Sequence, residues 1–120
     1  MFRDPSIGNQ VRVEAVKITS MAGAGHKRHG AGKVSATEML TSFCRWQRRL
    51  NQYEESGPLL YDVALLLTRE TICQAPGSDS GCEALGLAEL GTVCSPGSCA
   101  LIQDNGLTSA FTIAHELGHV

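Results

Sequence analysis

Residues 59–68, LLYDVALLLT, limit the fold more than any other stretch of this chain. The run is nearly continuous in apolar side chains and is bounded by SGP before it and charged residues after it. Such a segment suits a strand covered on both faces, the condition of strands in parallel sheets packed between helices. Asp62 interrupts it. A carboxylate inside an apolar strand needs a partner, so Asp62 is expected either to be held by structural hydrogen bonds or to ligate a cation.

The rest of the chain supplies elements for such a sheet. Residues 9–19, NQVRVEAVKIT, alternate with Val11, Val13, Ala15, Lys17 and Thr19 on one side, which predicts a strand. Residues 20–33 are rich in Gly and Ala without a period and read as a loop. Ser35 followed by Glu38 forms a capping box. Met39, Leu40, Phe43, Cys44 and Trp46/Gln47 then recur at helical spacing, predicting a helix from about Ala36 to Asn51. Residues 74–81 form a polar loop between two cysteines. ALGLAELGTV (84–93) is a Gly-punctuated segment suited to a sheet edge. CALIQD (99–104) is a further short strand, DNG (104–106) a turn, and the spacing of Leu107, Ala110, Phe111, Ala114 and Leu117/Gly118 predicts a closing helix. Strands mixed with two helices indicate an α/β sheet, with no internal repeat and no domain boundary.

With 120 residues and a net charge of -2, the chain fits one small domain or part of a larger one. The basic patches at 27–33 and 45–49 are short enough to be a solvated loop and a solvated helix face, so nucleic-acid binding is not expected. No apolar run reaches membrane-spanning length, and the N-terminus has no signal-peptide core. Five cysteines are present: Cys44, Cys73, Cys82, Cys94 and Cys99. Four of them flank Gly/Ser/Pro loops of the kind that carry disulfides in exported proteins, whereas the bland reading is five free thiols. No pair is spaced C-x-x-C, which argues against a zinc ribbon or a redox pair. If the chain is oxidised, one cysteine is left over: it is either reactive or pairs outside this sequence.

The chain closes on FTIAHELGHV. Residues four apart on a helix share a side, so His115 and His119 can present imidazoles to one ion. Zn²⁺ suits imidazole and lowers the pKa of its water to near neutral. Glu116, beside the first His, is placed to act as general base on that water and to hand the proton to the leaving amine. The bland reading, ionisable groups facing solvent or satisfied in the core, is weakened by the apolar character of the helix, LTSAFTIA, because burial of unpaired charge is costly. Catalytic zinc takes three protein ligands, and two are visible here. His26 and His29 lie far upstream in the Gly-rich segment and are not expected to be the third. The longer signature H-E-x-x-H-x-x-G-x-x-H would place its Gly and third His two and five residues beyond Val120.

FRDPSIGN, FCRWQ, YDVALLLTRETIC, LGLAELGTVC, GSCALIQDNGL and AFTIAHELGHV occur here in one order. Together they resemble the metalloprotease domain of the ADAMTS family, secreted zinc-dependent metzincins carrying thrombospondin motifs. The resemblance covers most of residues 2–12 and 35–120; residues 18–33 depart from it. It implies that His115 and His119 are zinc ligands and Glu116 the general base, that Cys44 pairs with Cys99 and Cys73 with Cys82, and that the partner of Cys94 lies downstream. Asp62 matches a calcium-binding aspartate. At a second calcium position Thr71 stands where the family has Asp, with Glu70 and Glu83 nearby.

The implied fold is a twisted, mostly parallel five-stranded sheet with an antiparallel edge strand, a partial metzincin domain ending on the zinc helix. Substrate would lie along the edge LGLAELG, on Leu87, Ala88, Glu89, Leu90 and Gly91, by strand addition. The resemblance further implies an extracellular location, protein substrates of the extracellular matrix, and a domain extending beyond both ends of residues 1–120. Two functions compete. One is a zinc metalloendopeptidase. The other is a catalytically incomplete, protease-like piece acting at most as a binding or structural module, which is the behaviour expected of the 120 residues by themselves.

Overall fold

The computed structural model describes residues 4–21, 33–51, 57–74 and 81–120. His26, His29 and most of the Gly-rich segment, together with residues 75–80 of the polar loop, lie outside the described residues. The elements are β1 (Lys33–Ser35), α1 (Ala36–Asn51), β2 (Ala64–Thr68), β3 (Thr71–Cys73), β4 (Gly86–Ala88), β5 (Cys99–Gln103) and α2 (Ser109–His119), with short 3₁₀ turns at Pro5–Ile7 and Gly106–Thr108.

β5 organises the molecule. It pairs in parallel with β2, Ala64 opposite Cys99 through Thr68 opposite Gln103, and antiparallel with β4, Leu87 opposite Leu101. The three-stranded order is β2-β5-β4, so β4 is an edge. Cys99, Ala100, Leu101 and Ile102 are fully buried, and their alternation divides the core. Cys99 and Leu101 join Met39, Leu40 and Phe43 of α1, with Ala64, Leu66 and Leu87 packed on. Ala100 and Ile102 join Val120, with Leu65, Ala88, Ile113 and Leu117 around them. One strand therefore serves two helices on opposite faces, because successive side chains on a strand point oppositely. A separate parallel pair, β1 with β3, stacks Val34 and Ile72 into the α1 layer. Gln103 ties the two sheets together: its side-chain Oε1 accepts the Ile72 amide at 3.0 Å.

α1 spans the residues its spacing predicts, and the Glu38 amide donates to Ser35 Oγ at 3.3 Å, one half of the capping box. Its buried stripe ends in two polar residues, Gln47 and Asn51, each 1% exposed. Asn51 Oδ1 accepts from the amides of Leu60 (2.7 Å) and Tyr61 (3.2 Å), and its Nδ2 donates to the Tyr61 carbonyl (2.9 Å). The Tyr61 hydroxyl returns a bond to the Gln47 carbonyl. The helix end thus aims the chain into β2. Asn51→Ala, which orphans these three backbone groups, is expected to cost about 1–3 kcal/mol in urea unfolding. Asn51→Asp, which keeps the acceptor, is expected to cost less.

Three expectations change. Residues 9–19 pair with no described strand, and Val11, Val13, Val16 and Ile18 are exposed. Alternation makes a strand only where a neighbour supplies hydrogen bonds, and here the side-chain contact is local, an ion pair between Arg12 and Glu14. The apolar run at 59–68 is a strand only from Ala64 onward, and its second face is incompletely covered: Leu67 is 52% exposed, because α2 packs on β5 and β4. The strands among the described residues form a two-stranded and a three-stranded sheet in place of a single sheet. What holds is a small mixed α/β domain of two sheets and two helices.

Candidate metal centre and its edge strand

α2 is set in place by the turn before it. Asp104 Oδ1 accepts from the Gly106 amide (3.0 Å) and from Ser109 Oγ (3.3 Å), while Oδ2 accepts from Arg69 Nε (3.4 Å). Ser109 Oγ in turn accepts the Asn105 amide at 2.8 Å. Gly106 sits at φ 82, a conformation glycine adopts without steric cost. The amide of Gly106, then Arg69, hold the Asp104 carboxyl below its usual 3.8. A lowered carboxyl stabilises the fold above its unfolded value, and that contribution is lost as pH falls through the folded one. Thermal unfolding of Asp104→Asn is therefore expected to lie below wild type at neutral pH, the two curves meeting only well below pH 3.8.

The stripe of α2 facing the sheet runs Ser109, Ile113, Glu116, Leu117 and Val120. His115 and His119 occupy the neighbouring, exposed side. Their Nε2 atoms are 3.0 Å apart and their rings stand nearly perpendicular. Two imidazole nitrogens about 2.0–2.1 Å from a tetrahedral zinc would stand roughly 3.3 Å apart, so the pair fits one ion after a small adjustment. Among the described residues no group of three His, Cys, Asp or Glu side chains could hold a metal. The pair supplies two donors.

Glu116 belongs to the buried stripe and is 6% exposed. No described residue hydrogen-bonds its carboxylate. Burial raises the carboxyl above its usual value, while the His115 and His119 imidazoles pull the other way. The carboxylate lies over Gly86 of β4: a methyl group at that position would stand 2.5 Å from Oε1. Sequence reasoning passed over this glycine. Its signal was a Gly inside a strand, which marks a close approach by another group.

β4 and α2 are also stitched by backbone. The amides of Gly91 and Val93 donate to the carbonyls of His119 (2.9 Å) and Val120 (2.7 Å). On its inner side β4 bonds to β5 through Gln103 N to Leu85 O and Glu89 N to Cys99 O. Antiparallel alternation then turns the N–H and C=O of Gly86 and Ala88 outward. Of the edge expected at 85–91, Leu87 and Ala88 are in the strand, whereas Glu89 follows it and Leu90 and Gly91 form a turn.

Cys44 is bonded to Cys99 and Cys73 to Cys82. Cys94 is a free, exposed thiol at φ 58, a conformation rare outside glycine. Its amide donates to the Asp62 carbonyl at 3.3 Å, and its Sγ lies 3.7 Å from Asp62 Oδ1. Asp62 is exposed and precedes β2, so the carboxylate expected inside a buried strand is on the surface.

Comparison with known proteins finds relatives along the whole chain. The chain is 47% identical over 120 residues to human "A disintegrin and metalloproteinase with thrombospondin motifs 4", an alignment covering 99% of this chain. It is 45% identical over 124 residues to the protein gon-1 of the same name series from Caenorhabditis elegans, and 43% over 123 residues to mouse member 20, both across the whole chain. The chain belongs to the ADAMTS family. It spans 14% of the length of human member 4 and 6% of mouse member 20. No family model matches it. Against its ADAMTS relatives the sequence aligns from end to end, so β4, β5 and α2 all fall within the aligned region. No described helix is long and apolar enough to cross a membrane.

Proposed function

We propose that residues 1–120 belong to the metalloprotease domain of a secreted zinc endopeptidase that cleaves extracellular matrix or other secreted proteins. The observation that carries this reading is the convergence of the His115 and His119 Nε2 atoms, 3.0 Å apart, beside a buried Glu116 at the edge strand. His115 and His119 would hold zinc. When bound, zinc supplies Lewis acidity, polarising a carbonyl and lowering the pKa of a water. Glu116 is the general base: its raised carboxyl accepts the proton of the attacking water at a carboxylate oxygen and passes it to the departing amine nitrogen. Leu87, Ala88, Glu89, Leu90 and Gly91 are the proposed substrate edge, with the outward amides and carbonyls of Gly86 and Ala88 as the groups on which an extended peptide adds as a strand. Burial on β4 keeps Glu116 in one place while the histidines stay accessible. Asp62 is proposed as a calcium ligand by its match to the family position and its exposed carboxylate.

A second reading rests on a specific observation: the described residues offer two zinc donors where a catalytic site takes three. On that reading the chain is a binding or structural module. Elemental analysis and cleavage of an unstructured protein substrate by the intact protein separate the two. The endopeptidase reading expects about one zinc per molecule and cleavage abolished by 1,10-phenanthroline and restored by zinc. Stoichiometric protein with neither bound zinc nor chelator-sensitive cleavage would leave only the module.

A further inference from the structure

At Gly86 the space of the missing side chain is occupied by a functional group. An ideal Cβ there would lie 2.5 Å from Oε1, 2.7 Å from Cγ and 2.8 Å from Cδ of Glu116. Contacts below 3.0 Å are essentially never tolerated, so Glu116 would have to move. Five other glycines give no such contact: Gly8, Gly91, Gly106 and Gly118 meet nothing within 4 Å, and Gly97 meets only Ser95 Oγ at 3.7 Å. Nor does the backbone require glycine at residue 86. Its φ is not in the left-handed region occupied by Gly8, Gly81, Gly91 and Gly106, and it is a regular strand residue opposite Ile102. The requirement therefore comes from the neighbour. Ala88, two residues on along the same face, carries its methyl group against the Ala100 and Ile102 layer, so a small side chain is accepted on that face wherever Glu116 is absent.

We propose that Gly86 is a positioning residue: the absence of a side chain at this point of the edge strand makes the seat in which the Glu116 carboxylate is held between α2 and β4. The base would then be located by the same strand that presents the outward groups of Gly86 and Ala88. Substrate backbone and carboxylate would share one frame. The catalytic consequence rests on the function proposed above; the seat itself does not.

Paired substitutions in the intact protein read the two parts separately. Gly86→Ala in the wild-type background is expected to lower the thermal midpoint clearly. In a Glu116→Ala background, where the seat is vacant, the same substitution is expected to cost little. Should Gly86→Ala fail to fold, recovery of a folded protein in the Gly86→Ala/Glu116→Ala pair is the same result in stronger form. For cleavage, Gly86→Ala is expected to lower kcat by about 10²-fold, the order produced by misplacing a reacting group by roughly 1 Å, with KM within a few-fold and zinc content unchanged. An equal loss of thermal midpoint in both backgrounds would overturn the proposal, since the glycine would then serve the strand alone. A parallel loss through KM with kcat preserved would overturn the positioning role. If the wild-type protein cleaves nothing, the thermal cycle still decides the seat, and the failure belongs to the endopeptidase reading.

Discussion

Replacing Glu116 with glutamine is expected to cut turnover of the intact protein by about 10²–10⁴-fold, the usual contribution of a positioned general base, with zinc content unchanged. Glutamine matches glutamate in shape, so it can occupy the space over Gly86 and leave the packing of Ile113, Leu117 and Val120 on β5 intact. What is lost is a site able to accept a proton. His115→Ala should behave differently, losing zinc and activity together. The stability of the metal-free protein offers a second check. Burial raises the Glu116 carboxyl above its usual 4.5. Between the unfolded and folded values the native state then holds more protons than the unfolded one, so stability falls as pH rises through that window. The glutamine variant has no such penalty. Its unfolding midpoint should equal or exceed that of wild type at neutral pH, the advantage shrinking toward acid. Turnover within a few-fold of wild type would remove Glu116 from the mechanism.

The largest loss of stability is expected from Cys44→Ala combined with Cys99→Ala. The bond closes a separation of 55 residues, and chain-entropy reasoning puts its contribution at about 4 kcal/mol, against about 2.5 kcal/mol for the 9-residue separation of Cys73 and Cys82. Domains of this size are stable by about 5–15 kcal/mol in total. The first bond also joins α1 directly to the first residue of the central strand, with Cys99 fully buried in the α1 layer. Its removal adds a packing defect to the entropic loss. Urea midpoints of the two double-alanine proteins test the order. A larger shift from the Cys73/Cys82 pair would contradict the central role given to β5.

Much of this was legible before any coordinates. The helix at 36–51 announced itself through Ser35, Glu38 and a 3.6-residue period, all local signals. CALIQ reads as a short strand because every residue is apolar until Gln103, and the structure adds that both of its faces are covered. The histidine pair is a statement about helix geometry and needs no tertiary information. The misreadings share a different character. Val11, Val13 and Ile18 alternate, but alternation cannot reveal whether a partner strand is present. Asp62 sits among apolar neighbours in sequence, yet the chain enters β2 only two residues later, under the direction of Asn51, and the carboxylate stays at the surface. Leu67 has the composition of a covered residue without a helix above it. Gly86 was the least legible of all: a glycine in a short strand signals a close approach but does not say that the neighbour is a side chain thirty positions later.

The backbone bonds from Gly91 and Val93 to the carbonyls of His119 and Val120 bear on how such a site can evolve. They fasten the segment leaving the edge strand to the helix that carries the histidines. An insertion, deletion or register change between β4 and Val93 would move His119 and the edge strand together. On the endopeptidase reading proposed above, substrate preference and metal geometry would be inherited together through this turn. Side chains along β4, other than at Gly86, would then have more freedom to vary than the length of the connection behind it.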